Sequence, residues 1–331
     1  MTTMHSLSIV IPVYLGERTL TTVVDELATL TAPTTTKDGH CFHVSEVVLV
    51  HDCGPDNSDA TMRALEQQYE WVRTIWLSRN FGQHAATLAG MASSSHQWVV
   101  TMDEDGQHDP AHIADFLDVA MREQAQLVYA SPVNTRPHGV LRNISSVVAK
   151  RILASLFLGA DHPRFESYRF IQGEIARSVA AYAGEGVYLD VALGWVVGTV
   201  AYADVRLRGT PGRTSGYSPK KLVAHLWRLL MSSGTRPLRM ISATGLLLSL
   251  SGLIYALYLV LDRVVNNSIP AGWTSTMVVL LVSSGLILFF LGVIAEYIGV
   301  VMGTAMGRPL YLIVSDRNRG PHGINKDAPR E

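Results

Sequence analysis

Two long uncharged apolar runs near the C-terminal end constrain the fold of this chain more than any other feature. Residues 240–261 carry no charged side chain, and neither do residues 273–295. Each run reaches the roughly 20 residues that a helix needs to cross a bilayer. A buried hairpin in a soluble core is the alternative, but a chain of which only 17% is charged favours the membrane. We predict two transmembrane helices, residues 240–261 and 273–298, with a short external loop between them.

Basic residues flank both apolar runs and predict the orientation of the chain. Lys220, Lys221, Arg228, Arg236 and Arg239 precede the first run, and Arg308, Arg317 and Arg319 follow the second. By the positive-inside rule both termini are cytoplasmic. Residues 1–12 lack the basic start and the long apolar stretch of a signal peptide. We therefore expect a multi-pass protein of the cell inner (plasma) membrane whose functional domain lies in the cytoplasm.

The predicted organisation has four parts. Residues 1–213 form the main domain, 214–239 an interfacial amphipathic segment, 240–303 the two spans and 304–331 a cytoplasmic tail. Residues 219–232 have one broad apolar face and one basic face, which is typical of a helix that lies on a membrane, although packing on the main domain remains open. With a net charge of −1 and no basic tract outside the membrane-proximal segments, no nucleic-acid partner is expected.

The main domain alternates between strand-like and helix-like segments. Short β-branched apolar runs at residues 7–13, 46–50, 72–77 and 97–102 predict strands, and residues 17–30, 59–69 and 82–92 have helical spacing. This order predicts an α/β fold with a mostly parallel sheet covered on both faces. Ligands of such sheets bind at the carboxyl ends of the strands. Tyr14, Asp52, Arg79, Asp103 and Asp105 all fall just past strand ends.

Asp103 and Asp105 follow the fourth predicted strand and indicate a metal site. Side chains alternate along a strand, so both carboxylates should emerge on one side while Glu104 points away. Two hard oxygen donors at this spacing suit Mg²⁺ or Mn²⁺, which keeps several waters and completes its shell with substrate phosphates. A turn whose acids only cap the next helix is the alternative for an isolated pair.

Five motifs occur in the order expected of a known family. They are Ile-Pro-Val-Tyr at 11–14, Asp52 within a polar turn at 51–58, Ser-Arg-Asn-Phe-Gly at 78–82, Asp-x-Asp-x-Gln at 103–107, and Glu-Tyr-Ile-Gly followed by Gly-Arg-Pro-Leu-Tyr at 296–311. The chain thereby resembles, from about residue 7 to residue 312, the family 2 glycosyltransferases of GT-A fold. The resemblance is to the membrane-anchored polyprenyl-phosphate sugar transferases related to dolichyl-phosphate mannose synthase.

The resemblance implies a donor site for a nucleotide sugar. Its metal ligands, for Mg²⁺ or Mn²⁺, would be Asp103, Asp105 and Gln107, and its nucleotide-sugar residues would be Pro12, Tyr14, Glu17, Asp52, Arg79 and Asp103. The chain departs from the family pattern at Leu15-Gly16 and at His51. UDP, GDP and dTDP therefore all stay open as the nucleotide, with UDP favoured.

Cationic residues further along the chain are candidates to bind the phosphate of a polyprenyl phosphate acceptor. They are Arg142, Arg169, Arg206 and Arg208, and Ser215 and Tyr217 lie on a Gly-containing loop beside the interfacial segment. Arg169 matches the acceptor-phosphate arginine of the family. Asp190 occupies the place where related transferases carry a base, although an ionised acceptor needs none and Asp190 then only orients Arg169 or the sugar. Asp105, Arg169 and Asp190 are the predicted catalytic residues.

These features predict a metal-dependent transferase that moves a sugar from a nucleotide donor to an undecaprenyl or decaprenyl phosphate at the cytoplasmic membrane face, with inversion. A hydroxyl of a lipid-linked saccharide or polysaccharide is the alternative acceptor, for which Asp190 would have to act as base. A non-catalytic scaffold is a third reading, against which the intact motifs count. Small residues at 283–285 and 299–303 allow close helix contact, so we expect a homo-oligomer.

Overall fold

The computed structural model describes residues 4–134, 166–184, 188–209, 272–306 and 309–316, together with nine single residues between 245 and 261. Residues 309–316 and the three N-terminal ranges belong to one compact unit, and residues 245–306 belong to a second. Among the predicted site residues, Arg142, Ser215 and Tyr217 lie outside the described residues, as does the proposed interfacial segment 214–239.

The first unit is built on one sheet, to which the described residues contribute nine strands. They are β1 (Met4–Val13), β2 (Thr34–Thr35), β3 (Cys41–His51), β4 (Val72–Leu77), β5 (Trp98–Thr101), β6 (Leu127–Pro132), β7 (Arg169–Gln172), β8 (Val200–Val205) and β9 (Ile313–Val314). The strand order is β8-β6-β7-β5-β1-β3-β4-β9, with β2 paired to β3. Strands β5, β1, β3 and β4 run parallel, while β7 and β9 are antiparallel to their neighbours. The predicted mostly parallel sheet is confirmed.

Six helices cover the two faces of this sheet in the described part of the unit. They are α1 (Leu20–Ala28), α2 (Ser58–Gln68), α3 (Gln83–Ala92), α4 (His112–Glu123), α5 (Gly173–Tyr182) and α6 (Leu189–Val196). One apolar core joins α1, α2 and α4 to the sheet, and the other joins α3, α5 and α6. Since β1 is covered on both faces, its residues from Leu7 to Val13 are almost all buried and apolar.

The sheet takes in a strand from the segment that the sequence places in the tail. Strand β9 pairs antiparallel with the end of β4, Val314 opposite Trp76 and Ile313 opposite Leu77. The backbone N–H of Ser78 donates to the carbonyl of Leu312 at 3.0 Å. The guanidinium of Arg63, on α2, binds the carboxylate of Asp316 through two hydrogen bonds of 2.8 and 2.9 Å. Residues 309–316 are thus an integral part of this unit.

The second unit contains helix α7 (Trp273–Ala305). By length and composition it is the one helix among the described residues that could cross a membrane, with its apolar window at Val282–Gly299. Its 33 residues correspond to about 50 Å, longer than the hydrocarbon core of a bilayer. The second predicted span, 273–298, lies within this helix. The nine described residues of the first span, 240–261, are helical as well, and the number of spans remains a prediction.

Candidate active site

Three loops meet at the carboxyl edge of the sheet. They follow the parallel strands β1, β3 and β5 and are the β1 loop (residues 14–17), the β3 loop (residues 52–57) and the acid loop (residues 102–107). Backbone bonds join their starts, because the N–H of Asp52 donates to the carbonyl of Val13 at 2.9 Å and that of Met102 to Val10 at 3.1 Å. A Cβ added to Gly54 would collide with the carbonyl oxygen of Tyr14. The β1 and β3 loops therefore touch backbone to backbone.

The acid loop is a turn rather than a continuation of the strand. Strand β5 ends at Thr101, and Gly106 has a φ of 73°, which glycine adopts without strain. Asp103 accepts hydrogen bonds from Gln83 Nε2 at 2.6 Å and from Ser167 Oγ at 2.7 Å. Asp105 accepts the N–H of Gln107 at 3.1 Å. The turn and its neighbours fix the direction of both carboxylates.

His108 supports the backbone of the acid loop. Its Nδ1 accepts the backbone N–H of Asp103 at 3.0 Å, which requires the tautomer with an unprotonated Nδ1. The ring stacks on Tyr168 with centroids 4.7 Å apart. His108 thus supports the backbone of Asp103, a role that its position directly after the motif does not reveal.

Glu104 has a partner that the sequence does not predict. Its carboxylate points away from the metal pair, as strand alternation suggests, but it accepts the backbone N–H of Tyr14 at 2.7 Å and that of Leu15 at 2.8 Å. Burial raises the pKa of Glu104 to about 7, against the opposing effect of these two hydrogen bonds. The only sequence signal for this contact is a third acid between the paired ones.

The predicted nucleotide residues line the same edge of the sheet, with differing exposure. Pro12 is buried at the end of β1, and Tyr14 is exposed. Glu17 binds Asn57, accepting its backbone N–H at 3.2 Å, while its own N–H donates to Asp56 at 3.1 Å. Glu17 thus ties the β1 loop to the β3 loop.

Asp52 holds the turn that carries Arg79. Its two carboxylate oxygens accept the N–H groups of Phe81 at 2.7 Å and Gly82 at 2.9 Å. Burial raises the pKa of Asp52, and the two N–H bonds oppose that rise. The guanidinium of Arg79 lies over the Phe81 ring, 4.4 Å from its centroid, and the side chain is exposed. Asp52 therefore fixes the backbone of the turn next to Arg79.

A cavity of about 270 Å³ lies behind the β3 loop. Its lining comes from the ends of β3 and β4, from α2 and from the tail: His51, Gly54, Asp56, Asn57, Asp59, Arg63, Trp76, Leu77 and Val314. The ring of His51 packs on Trp76 with centroids 5.0 Å apart. The paired acids do not line this cavity, so we regard the open edge between the loops as the site of the chemistry.

Arg169 and Asp190 form a buried ion pair. Arg169 Nε donates to Asp190 Oδ1 at 2.6 Å and Nη2 to Oδ2 at 2.9 Å, and the Tyr129 hydroxyl donates to Oδ1 at 2.9 Å. The third guanidinium nitrogen, Nη1, donates to the Ser167 carbonyl at 3.1 Å. Burial alone would lower the pKa of Arg169, but the charge and hydrogen bonds of Asp190 outweigh it and raise that pKa. In this arrangement Arg169 and Asp190 neutralise each other's charge.

The two other described candidates for the acceptor phosphate, Arg206 and Arg208, differ in their surroundings. Arg208 is bound by Glu26 at 2.7 Å and by Asp109 at 2.9 Å. Arg206 is exposed, and its backbone N–H donates to His112 Nε2 at 3.1 Å. Arg206 is thus better placed than Arg208 to offer its charge to a ligand.

The described ranges contain no set of three His, Cys, Asp or Glu side chains that could hold a metal ion. Asp103 and Asp105 nevertheless offer carboxylate oxygens on a half-buried turn. Mg²⁺ and Mn²⁺ bind through one or two carboxylates together with water and phosphate oxygens. The donor set fits such an ion when a diphosphate supplies the other ligands.

The sheet and the acid loop define a class: this is a glycosyltransferase of the GT-A type. The profile of glycosyl transferase family 2 matches residues 8–176, just over half of the chain. The chain belongs to glycosyl transferase family 2. Residues 236–301 match a second profile, described as the GtrB C-terminal hairpin.

Similar proteins span nearly the whole chain. An undecaprenyl-phosphate 4-deoxy-4-formamido-L-arabinose transferase of Pseudomonas aeruginosa is 29% identical over 317 residues, covering 92% of this chain and 88% of the relative. The glycosyltransferase YkcC of Bacillus subtilis is 27% identical over 308 residues and 92% of both chains. A solved structure, glucosyl-3-phosphoglycerate synthase of Mycobacterium tuberculosis with Mn²⁺ and UDP-glucose, aligns with a TM-score of 0.48 at 18% identity, over 70% of this chain and 79% of that one.

Proposed function

We propose that this protein transfers a sugar from a nucleotide sugar to a polyprenyl phosphate at the cytoplasmic face of the membrane. The relative named for undecaprenyl-phosphate transfer aligns with the acid loop, the sheet and the apolar C-terminal region together. The proposal therefore concerns the whole chain, including its membrane part.

The contacts of Asp190 are the observation that favours one class of acceptor over the other. Its carboxylate is 1% exposed and is bound by Arg169 and Tyr129. A base that removes a proton from a sugar hydroxyl must reach that hydroxyl and must not be held by a permanent cation. A phosphate acceptor needs no such base, because its second pKa near 6 leaves it largely dianionic at pH 7. The buried pair thus favours a phosphate over a hydroxyl acceptor.

The proposed reaction is a single displacement. A phosphate oxygen of the lipid forms a bond to the anomeric carbon of the sugar while the bond from that carbon to the nucleoside diphosphate breaks. An α-linked donor then gives a β-linked lipid product. Negative charge develops on the departing diphosphate, and we assign part of its neutralisation to Arg79, whose side chain is exposed.

Asp103, Asp105 and Gln107 are the proposed residues for Mg²⁺ or Mn²⁺. When bound, the ion would neutralise charge on the diphosphate. Gln83 and Ser167 hold Asp103, and the turn at Gly106 holds Asp105. These contacts keep the two carboxylates at one edge of the sheet before any donor arrives.

The acceptor phosphate needs a cation near the sugar. Arg206 and Arg208 are both exposed, but Arg208, like the buried Arg169, is bound by carboxylates. We assign the first contact with the lipid phosphate to Arg206 and the support of the site beneath it to Arg169. Arg142, Ser215 and Tyr217 remain proposed acceptor residues.

A membrane hairpin of two spans agrees with the sheet. Strand β9 follows helix α7 in the chain and belongs to the same sheet as residues 4–205. The described chain thus lies in this unit up to residue 209 and again from residue 309. A segment that leaves and returns on one side of a membrane crosses it an even number of times, so a crossing by α7 calls for a second one. Residues 240–261 are the proposed partner span, and we expect homo-oligomers.

The reconstituted full-length protein tests the proposal. It is incubated with Mn²⁺, undecaprenyl phosphate and radiolabelled UDP-, GDP- and dTDP-sugars, and the lipid phase is extracted. Label in the lipid that is lost in Asp105→Asn supports the proposal and identifies the donor, for which UDP is favoured. Label that enters lipid only when a lipid-linked saccharide replaces undecaprenyl phosphate would instead establish the hydroxyl acceptor.

A further inference from the structure

Glu104 connects the acid loop to the β1 loop. We infer that it is a positioning residue, which holds Tyr14 and Leu15 in the arrangement that receives the nucleotide and so sets the affinity for the donor. The inference rests on the proposed function, since it presumes a nucleotide donor at this edge of the sheet. It adds a residue that belongs neither to the metal pair nor to the predicted nucleotide contacts.

Three hydrogen bonds carry the connection. Glu104 Oε2 accepts the N–H of Tyr14 at 2.7 Å, and Oε1 accepts the N–H of Leu15 at 2.8 Å. From the other side, the Thr19 hydroxyl donates to the carbonyl of Glu104 at 2.7 Å. In its ionised form the carboxylate accepts these bonds more strongly than a neutral group would. The β1 loop and the acid loop, about 90 positions apart in the chain, therefore form one unit.

The β1 loop is also packed tightly against this carboxylate. A Cβ added to Gly16 would lie 2.9 Å from Glu104 Oε2 and 3.1 Å from Val13 Cγ1, closer than van der Waals contact allows. The N–H of Gly16 donates to Ser58 Oγ at 2.8 Å on the opposite side. The departure from the family pattern at Leu15-Gly16 thus coincides with the place where Glu104 fits.

Both oxygens of Glu104 are used by backbone donors, and this separates its role from that of its neighbours. Asp103 and Asp105 leave the turn in other directions, toward Gln83 and Gln107. Because the N–H groups of Tyr14 and Leu15 are bound by Glu104, they are not available to a phosphate. The contribution of Glu104 to donor binding is consequently the fixed shape of the β1 loop, which lowers the ordering cost of binding.

The exchange of backbone amides tests the geometry without any ligand. In the full-length protein in detergent, Glu104→Gln replaces one acceptor oxygen by an NH₂ group that cannot accept an N–H. We expect the amides of Tyr14 and Leu15 to exchange about tenfold faster or more, the effect of losing a hydrogen bond to a charged group. Unchanged exchange at both amides would overturn the contact.

Titration of UDP, GDP and dTDP with Mn²⁺ tests the functional part. Glu66→Gln is the matched control, because Glu66 accepts the N–H of Thr74 at 2.9 Å and its hydroxyl at 2.7 Å on β4. We expect Glu104→Gln to raise the Kd of the bound nucleotide and the KM of its sugar donor about tenfold, with the KM for undecaprenyl phosphate unchanged, and Glu66→Gln to change neither. The Kd and the donor KM of Glu104→Asp should lie between those of wild type and Glu104→Gln.

Three results would contradict the inference in different ways. If wild type binds one of the nucleotides and Glu104→Gln binds it as tightly as Glu66→Gln does, the positioning role is refuted while the proposed function stands. If wild type binds none of the three nucleotides, the proposed donor class fails and the inference fails with it. An equal rise in KM for donor and lipid would show a general structural effect and would also refute the specific role.

Discussion

Arg169 donates two parallel hydrogen bonds to the carboxylate of Asp190, 2.6 Å from Nε and 2.9 Å from Nη2, in a place where the two side chains are 4% and 1% exposed. The pair joins β7 to α6. A buried charge that loses its partner is strongly destabilising, whereas an apolar pair of similar volume is often tolerated.

Asp190→Asn should therefore destabilise the protein as well as inactivate it. We expect the free energy of unfolding to fall by about 3–5 kcal/mol, because the charge of Arg169 stays buried without its counter-ion. Thermal unfolding of the full-length protein in detergent measures the change. The double variant Arg169→Met/Asp190→Leu should regain much of the stability without activity. An Asp190→Asn protein of wild-type stability with kcat alone reduced would instead indicate a base.

Removal of one acid-loop carboxylate should abolish the dependence on divalent ions. Asp105→Asn is expected to reduce transfer about a hundredfold or more, since an ion that neutralises a leaving diphosphate contributes several kcal/mol. Activity against Mn²⁺ concentration, after treatment with a chelator, is the measurement. Asp25→Asn is the control, because that carboxylate accepts the Tyr69 hydroxyl at 2.8 Å. Full activity of wild type in chelator would count against the metal.

Asp52→Asn should loosen the turn that carries Arg79. An amide has one acceptor oxygen, so it can hold the N–H of Phe81 or Gly82 in the present geometry but not both. We expect the KM for the donor to rise about tenfold, the equivalent of one lost hydrogen bond to a charged group. Steady-state kinetics at saturating lipid would measure this donor KM. A donor KM equal to that of Asp25→Asn would contradict the role given to Asp52.

The loop between the two predicted spans should be reachable from outside the cell. In a background of Cys41→Ser and Cys53→Ser, Asn267→Cys should react with an impermeant maleimide in intact cells, because two spans place that loop outside. Ala328→Cys should react only after the membrane is opened. The reverse pattern would refute the orientation that the basic residues predict.

Loss of the Arg63 to Asp316 contact should weaken the sheet edge. Asp316→Asn removes the charge that accepts two bonds from the guanidinium, so the free energy of unfolding should fall by about 2 kcal/mol. In a double-mutant cycle with Arg63→Met, the two substitutions together should cost less stability than the sum of their separate effects. Additive effects of the two substitutions would mean that the tail is held by the β9 backbone pairing alone.

Periodicity was enough to predict the four central strands β1, β3, β4 and β5, but not the other five strands of the sheet. The buried strands at 72–77 and around 7–13 and 46–50 are apolar runs because helices cover both faces, and this is why their bounds come close to β4, β1 and β3. Strand β3 begins earlier, at Cys41, because its first residues pair with the start of β1 past a register shift between Leu7 and Ser8. That pairing depends on a distant strand, so local spacing carries no sign of it.

The contacts of the site were less predictable than its location. That Asp52, Asp103 and Asp105 follow strand ends is visible in the sequence, but the partners of Asp190 and Glu104 are 21 and about 90 positions away. A carboxylate in such a motif can bind a metal ion, a backbone N–H or another side chain, and the sequence does not tell which. Only the three-dimensional arrangement distinguishes Asp190 held by Arg169 from Asp190 open to a substrate.

Strand β9 has a consequence for the order in which the protein is made. The ribosome releases residues 313–314 only after the whole of helix α7, so this edge of β4 stays without its β9 partner until the helix has been synthesised. An open strand edge invites pairing with other chains. If helix α7 inserts into a membrane as we propose, insertion would precede closure of the sheet, and a chain stalled between the two steps would be prone to aggregate.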